Sequence, residues 1–203
     1  MSKLHPRLTV DFVHAEVDQL RSELNRLAAE LTEVRAHAAS LELLAHEDTL
    51  TDLLNRRGFL RDLTRAIAYR ARYGTPVALL LADLDAFKPI NDRYGHDMGD
   101  RALRHVADVL RGNVRASDSV GRLGGDEFGL ILWNVDHAAL TQKAQALEGM
   151  IATWPMPAAP PELALGASIG FTLLQAGDTA EEALSRADQA MYARKTDRRS
   201  LRR

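Results

Sequence analysis

Five consecutive residues, Gly124-Gly125-Asp126-Glu127-Phe128, set two carboxylates directly beside two glycines. Glycines let a ligand approach the backbone, and adjacent carboxylates suit a hard cation such as Mg²⁺. The neighbouring residues supply a place for them. Ser119-Val-Gly-Arg-Leu123 and Phe128-Gly-Leu-Ile-Leu-Trp133 read as apolar strands, so Gly-Gly-Asp-Glu becomes the tip of a β-hairpin, where glycine takes the positive φ of a tight turn. A hairpin tip needs one or two such residues and has no use for two acids that repel each other. At average amino-acid usage this pentapeptide arises by chance in about one chain in ten thousand of this length, which argues against an ordinary acidic turn.

A second carboxylate group lies in Val77-Ala-Leu-Leu-Leu-Ala-Asp-Leu-Asp85. Side chains alternate along a strand, so Asp83 and Asp85 share a face with Leu79 and Leu81. A carboxylate that continues an apolar face is costly unless it is paired or bound to metal. Asp85 reads as structural, and the bland alternative for Asp83 is a cap or a pair with Lys88. If this strand neighbours the hairpin, Asp83, the Leu84 carbonyl, Asp126 and Glu127 form an all-oxygen Mg²⁺ site, with Mn²⁺ an alternative, completed by water and phosphate oxygens.

The elements that must position these groups follow from periodicity. Val10, Val13, Val17, Leu20, Leu24, Leu27, Leu31, Val34, Ala38 and Leu41 alternate by three and four, with Val17, Leu24, Leu31 and Ala38 at a and Val13, Leu20, Leu27, Val34 and Leu41 at d. Glu16 with Arg21 and Glu30 with Arg35 fall at g and the following e, which suits a parallel dimeric coiled coil of roughly 50 Å that starts after Pro6. A single helix lying back on its own domain is the alternative. Residues 1–47 are thus expected to be a dimerisation helix and 48–203 the functional domain. Within that domain, Asp48 or Thr51 is expected to cap a helix near Leu53–Tyr73, which ends at Gly74-Thr-Pro76. A strand (Val77–Leu84), a helix (Asp100–Gly112), the hairpin, a helix (His137–Thr153), a strand (Leu163–Leu174) and a helix (Thr179–Lys195) follow, with Pro155–Pro161 as a loop. A β-α-β-β-α-β order predicts a ferredoxin-like α+β sandwich.

Composition narrows the partners. A net charge of −2 gives no electrostatic case for nucleic acid or an anionic membrane. No cysteine is present, so disulfides, thiolate metal sites and cysteine nucleophiles are excluded. No apolar run approaches the roughly 20 residues of a membrane helix, and the N-terminus lacks a signal-peptide core, so a cytoplasmic location is expected. The histidines show no zinc-binding spacing.

Several separated motifs occur in one order: Asp48-Thr-Leu-Thr-Asp-Leu-Leu-Asn-Arg56; Asp83-Leu-Asp-Ala-Phe-Lys88 with Asn91-Asp92, Gly95-His96 and Gly99-Asp100; the glycine–acid pentapeptide; Ala167-Ser-Ile-Gly170; and Ala187-Asp-Gln-Ala-Met-Tyr-Ala-Arg-Lys195. From Asp48 to its end the chain resembles a GGDEF diguanylate cyclase. The resemblance implies a nucleotidyl-cyclase, palm-like fold and the formation of cyclic di-GMP and two pyrophosphates from two GTP in a homodimer with a composite active site. It implies that Asp83, Leu84, Asp126 and Glu127 hold metal, and that Asp126 or Glu127 helps activate the attacking hydroxyl. Lys88, Asn91, His96, Asp100, Gly124 and Gly125 match substrate-binding positions, with Asn91 and Asp100 reading guanine. Read alone, Asn91 and Asp100 would be turn or helix-cap residues. Lys195 and Arg199 match phosphate-binding positions, although Lys195-Thr-Asp-Arg-Arg-Ser departs from the family's Lys-x-x-Gly-Arg-Asn. Arg115-Ala-Ser-Asp118, with five residues between Asp118 and Gly124, matches the family's RxxD product-inhibition site; a local salt bridge is the other reading. A catalytically silent receptor for GTP or cyclic di-GMP predicts a damaged pentapeptide or a lost Asp83, and a coil-only interaction protein predicts substitutions across these positions. The sequence has neither.

Overall fold

The computed structural model describes residues 6–154 and 165–201, without the side chains of residues 6–15, 18, 36, 38–44 and 197–201. The chain divides into two compact units, Met1–Leu44 and Ala45–Arg203. The first is carried by one helix, α1 (Pro6–His46). Pro6 is its first residue, where a missing N–H breaks no helical hydrogen bond. Of the described seam positions, Val17, Leu20, Leu24, Leu27, Leu31 and Val34 are all exposed, Leu24 by 68%. Val10, Val13, Ala38 and Leu41 lie outside the described side chains. Arg26 sits 3.8 Å from both Glu23 and Glu30 on this helix, exposed pairs that add little stability.

The second unit is built on four antiparallel strands, β1 (Val77–Asp85), β2 (Ser119–Gly124), β3 (Glu127–Trp133) and β4 (Gly166–Leu173), in the order β2-β3-β1-β4. Five helices accompany them: α2 (Arg56–Tyr73), α3 (Phe87–Tyr94), α4 (His96–Gly112), α5 (His137–Ala152) and α6 (Ala180–Leu201). With α3 and α4 between β1 and β2, and α5 between β3 and β4, this is the ferredoxin-like α+β arrangement expected above. β1 lies between β3 and β4 and is apolar on both faces. Leu80, Ala82 and Leu84 join the core formed with α4 and α5, whereas Leu79 and Leu81 join the core formed with α2 and α6. Among the described residues no helix is long and apolar enough to cross a membrane.

Glycines set how closely the second pair of helices approaches. Gly121 and Gly129 are cross-strand partners, and Phe59 of α2 lies on both: a Cβ at Gly129 would come within 2.5 Å of the Phe59 ring. At Gly170 on β4 a Cβ would fall 2.1 Å from the Met191 backbone nitrogen, so the α6 backbone rests directly on the strand. One helical turn beyond Met191 is Lys195, and two residues back along β4 is Ser168, the partner of Asp83. The close approach at Gly170 therefore delivers Lys195 to the end of β1.

Several local expectations are corrected. Asn55, not Asp48 or Thr51, caps α2: its side chain accepts from the Gly58 N–H at 3.0 Å. Asp48 is instead occupied by Thr51 and Arg122. Asn91-Asp92 does not form a turn, since both lie in α3, and Asp100 does not cap α4, which begins four residues earlier at His96. The final helix continues past Lys195 to Leu201, the 155–161 loop lies outside the described residues, and the last strand begins at Gly166.

Candidate functional site

Asp83 near the end of β1 stands directly opposite Glu127 at the start of β3. The two-residue turn Gly125–Asp126 closes the hairpin between Gly124 and Glu127. Gly124 at φ 150 and Gly125 at φ 51 occupy backbone conformations that side chains resist, so the turn needs glycine at both positions. The Leu84 N–H donates to the Asp126 carbonyl at 3.2 Å, which holds the tip against the end of β1. Three carboxylates are thus gathered at one sheet end. Burial, reinforced by Asp83, pushes the Asp126 carboxyl up, with Lys195 and Arg122 opposing. Burial, then Asp83 and Asp126, also push Glu127 up.

Lys195 of α6 is ion-paired with Asp83. This corrects the alternative pairing of Asp83 with Lys88, which lies exposed in the first turn of α3. Asp85 accepts from the Ser168 hydroxyl at 3.2 Å, in keeping with a structural role. Arg199 lies on α6, but its side chain is outside the described residues.

No group of three or more metal-binding side chains is preassembled among the described residues. Mg²⁺ takes many of its ligands from water and substrate phosphates rather than from the protein. Asp83, Asp126 and Glu127 offer only oxygen donors, and the Asp126 and Glu127 carboxyls, raised first by burial and then by neighbouring carboxylates, suit a hard cation.

Asn91, His96 and Asp100 are distributed over α3 and α4, which meet at Gly95. The Asn91 side-chain oxygen is buried and has no partner. A Cβ at Gly99 would lie 1.9 Å from that oxygen, so the amide rests against the bare glycine of α4. His96 and Asp100 follow one turn apart on the same helix face. Beside Glu127 a cavity of about 210 Å³ opens between α2 and α6, lined by Arg56, Leu81, Leu184, Asp188 and Met191 among others.

Arg115 and Asp118 sit apart from this cluster in sequence, in the turn before β2. They are not joined as a side-chain salt bridge. The Arg115 backbone N–H donates to one Asp118 oxygen at 2.9 Å and the Trp133 N–H to the other at 3.1 Å, while the Arg115 side chain is exposed.

A protein-family model described as "Diguanylate cyclase, GGDEF domain" matches residues 45–201. The chain belongs to the GGDEF diguanylate cyclase family. Diguanylate cyclase DosC of Escherichia coli K12 is 39% identical over 158 residues, which cover 76% of this chain and 34% of that protein. The bifunctional diguanylate cyclase/cyclic di-GMP phosphodiesterase MucR of Pseudomonas aeruginosa is 40% identical over 167 residues, covering 82% of this chain and 24% of that protein. The chain thus spans about a third or less of the length of these curated relatives. Among solved structures, the coiled coil and GGDEF domain of DgcB from Caulobacter crescentus in complex with c-di-GMP is similar with a TM-score of 0.81 at 29% identity, covering 88% of this chain and 95% of that one. The active GGEEF domain of a diguanylate cyclase from Vibrio cholerae is similar with a TM-score of 0.65 at 30% identity, covering 71% and 92%.

One contact at the tip was not read from the sequence. Arg122 donates to the Gly125 carbonyl at 3.0 and 2.8 Å, and also reaches Asp48. The available signal was an arginine interrupting an otherwise apolar strand two residues before the glycines.

Proposed function

We propose that residues 48–203 form a Mg²⁺-dependent diguanylate cyclase domain that converts two GTP to cyclic di-GMP and two pyrophosphates. The observation that carries this reading is the gathering of Asp83, Asp126 and Glu127 at one sheet end beside the glycine turn. Asp83, the Leu84 carbonyl, Asp126 and Glu127 would hold the metal, which when bound neutralises charge on the triphosphate. Asp126 or Glu127 accepts the proton of the attacking 3′-hydroxyl; their raised carboxyls suit a base better than ordinary ones do. Lys195 moves from Asp83 to phosphate, with Arg199 and Lys88 as further cations. Asn91 and Asp100, with His96 beside them, read the guanine edge through the unpartnered Asn91 amide oxygen and the Asp100 carboxylate.

Each domain binds one GTP, so a second domain must face it to supply the other half of the reaction. Residues 1–47 bring two chains together as a parallel coiled coil; the exposed a and d residues of α1 support this, as does the likeness to a structure named for its coiled coil. The product binds back at Arg115, whose exposed guanidinium is shaped for phosphate and guanine, and slows turnover. Location in the cytoplasm follows from the GTP substrate. The test is pyrophosphate release from GTP and Mg²⁺ at rising protein concentration. Rates per subunit should rise with concentration and vanish in Asp83→Asn; equal rates in that variant would overturn the assignment.

A further inference from the structure

We propose that Arg122 is a positioning residue for catalysis: tied to Asp48, it fixes the Gly125–Asp126 peptide and so aims the Asp126 carboxylate. The proposal rests on the cyclase reading for its catalytic consequence. The need for such a tie is visible in the turn itself. Gly124 and Gly125 are both exposed, and a Cβ built at either would meet no atom within 4 Å. The tip is therefore not held by side-chain contacts at these positions, and paired glycines give it more backbone freedom than any other dipeptide. A carboxylate used in chemistry has to be held within a fraction of an ångström.

Hydrogen bonds supply what contacts do not. From β2, Arg122 reaches past the register shift between Arg122 and Gly124. Its Nε and Nη2 both donate to the Gly125 carbonyl, at 3.0 and 2.8 Å. On the far side of the same residue, the Asp126 carbonyl accepts from the Leu84 N–H at 3.2 Å. The two peptide planes flanking the Asp126 Cα are thus each pinned, one by Arg122 and the other by β1. The remaining nitrogen, Nη1, lies 3.3 Å from both oxygens of Asp48. Asp48 is itself held by Thr51, through its N–H at 3.0 Å and its hydroxyl at 2.7 Å. Both charged side chains are largely buried, at 16% and 22% exposure, so the fork is held in one orientation. A lysine could not replace it, since an ammonium cannot present a planar fork to the carbonyl while facing a carboxylate from its other edge. The Arg122 charge also opposes the upward push on the Asp126 carboxyl.

A fold-stabilising salt bridge would use the same contacts, so the test separates stability from aim. Arg122→Lys, Asp48→Asn and the double variant are assayed well below their melting temperatures, with hydrogen exchange followed at residues 124–127. Arg122→Lys should lower kcat on the order of 10- to 100-fold, with KM for GTP changed little, and speed exchange at the turn. Asp48→Asn should act in the same direction but less, and the double variant should be no worse than Arg122→Lys, because the two residues act as one unit. Unchanged kcat with only a lowered melting temperature, or unchanged exchange at the turn, would overturn the proposal. A wild type that forms no cyclic di-GMP would overturn the cyclase reading, and the exchange arm would still decide the tie.

Discussion

Asp83 and Glu127 are direct cross-strand partners, so two carboxylates face each other where most sheets would place an apolar or oppositely charged pair. Across the sheet end, Lys195 answers one of them. An enzyme site often holds such unfavourable charge, because the groups that do chemistry are not those that best stabilise the fold.

The first prediction follows from that conflict. Asp126 and Glu127 are both raised above their ordinary values of 3.8 and 4.5, first by burial. Below those values the groups are protonated in folded and unfolded chains alike and cost nothing. As pH rises through the raised folded values, ionisation costs more in the fold, so stability falls and stays lower at neutral pH. Asp126→Asn should therefore raise the metal-free melting temperature at pH 7 by roughly 2 °C or more, the gain fading towards pH 4, while turnover drops on the order of 100-fold. Calorimetry across pH checks it; an unchanged or lower melting temperature would speak against the charge conflict.

Asp48 and Asp178 run the other way. Burial raises both, but hydrogen bonds and arginine, from Thr51 and Arg122 for Asp48 and from Arg186 and Gln175 for Asp178, outweigh it and hold them below 3.8. Their stabilisation is complete above that value and is lost as pH falls through the lowered folded pKa values. Acid unfolding of Asp48→Asn should begin from a lower starting stability and respond less steeply to pH below 4, read from denaturant midpoints.

Gly99→Ala should weaken binding of guanine nucleotides without unfolding the domain. The new Cβ would occupy the space of the Asn91 side-chain oxygen, at 1.9 Å. Displacing that amide should weaken GTP binding roughly tenfold, about the worth of one hydrogen bond, with a smaller effect on a nucleotide lacking the guanine pattern. Titration calorimetry with GTP and ATP would reveal it, and equal loss for both would contradict the guanine assignment.

Arg115 and Asp118 should separate in their effects. Asp118 accepts two backbone N–H groups, so Asp118→Ala should cost about 1–3 kcal/mol of stability. Arg115 is exposed, and Arg115→Ala should change stability by about 0.5 kcal/mol or less. It should nevertheless weaken inhibition by added cyclic di-GMP at matched initial rates. Inhibition equal to wild type would remove the regulatory role and leave catalysis untouched.

Replacing Leu24 and Leu31 with glutamine should split the dimer, since both exposed leucines fall at a positions of the seam. Light scattering should then report the mass of one chain, and turnover at dilute protein should fall. Unchanged mass would rule out the coil as the dimeriser.

What was legible in the sequence was local. The hairpin at Gly124–Glu127, the strand from Val77 that carries Asp83 and the helix stop at Gly74 all follow from residue types within a few positions. Helix α3 was missed because it is only eight residues long, contains Pro89 in its first turn, and buries Ile90 alone. Proline is tolerated there, but it reads as a break when seen without the fold. The cap at Asn55 was misassigned because three acceptors, Asp48, Thr51 and Asn55, compete within eight residues. Lys195 with Asp83, 112 positions apart, and Arg122 with Asp48, 74 apart, were invisible to any local pattern. They depend on where α6 and the segment before α2 come to rest, which Gly170 and the Leu54–Val120 and Leu54–Arg122 backbone contacts decide.

Everything above turns on whether this chain joins two GTP molecules. Purified protein incubated with GTP and Mg²⁺, with the nucleotides separated and identified by mass, tests it most directly. Cyclic di-GMP should form with two pyrophosphates per molecule, and on the order of 100-fold more slowly in Asp126→Asn. GTP recovered intact at every protein concentration, although bound by the domain, would contradict it and favour a receptor.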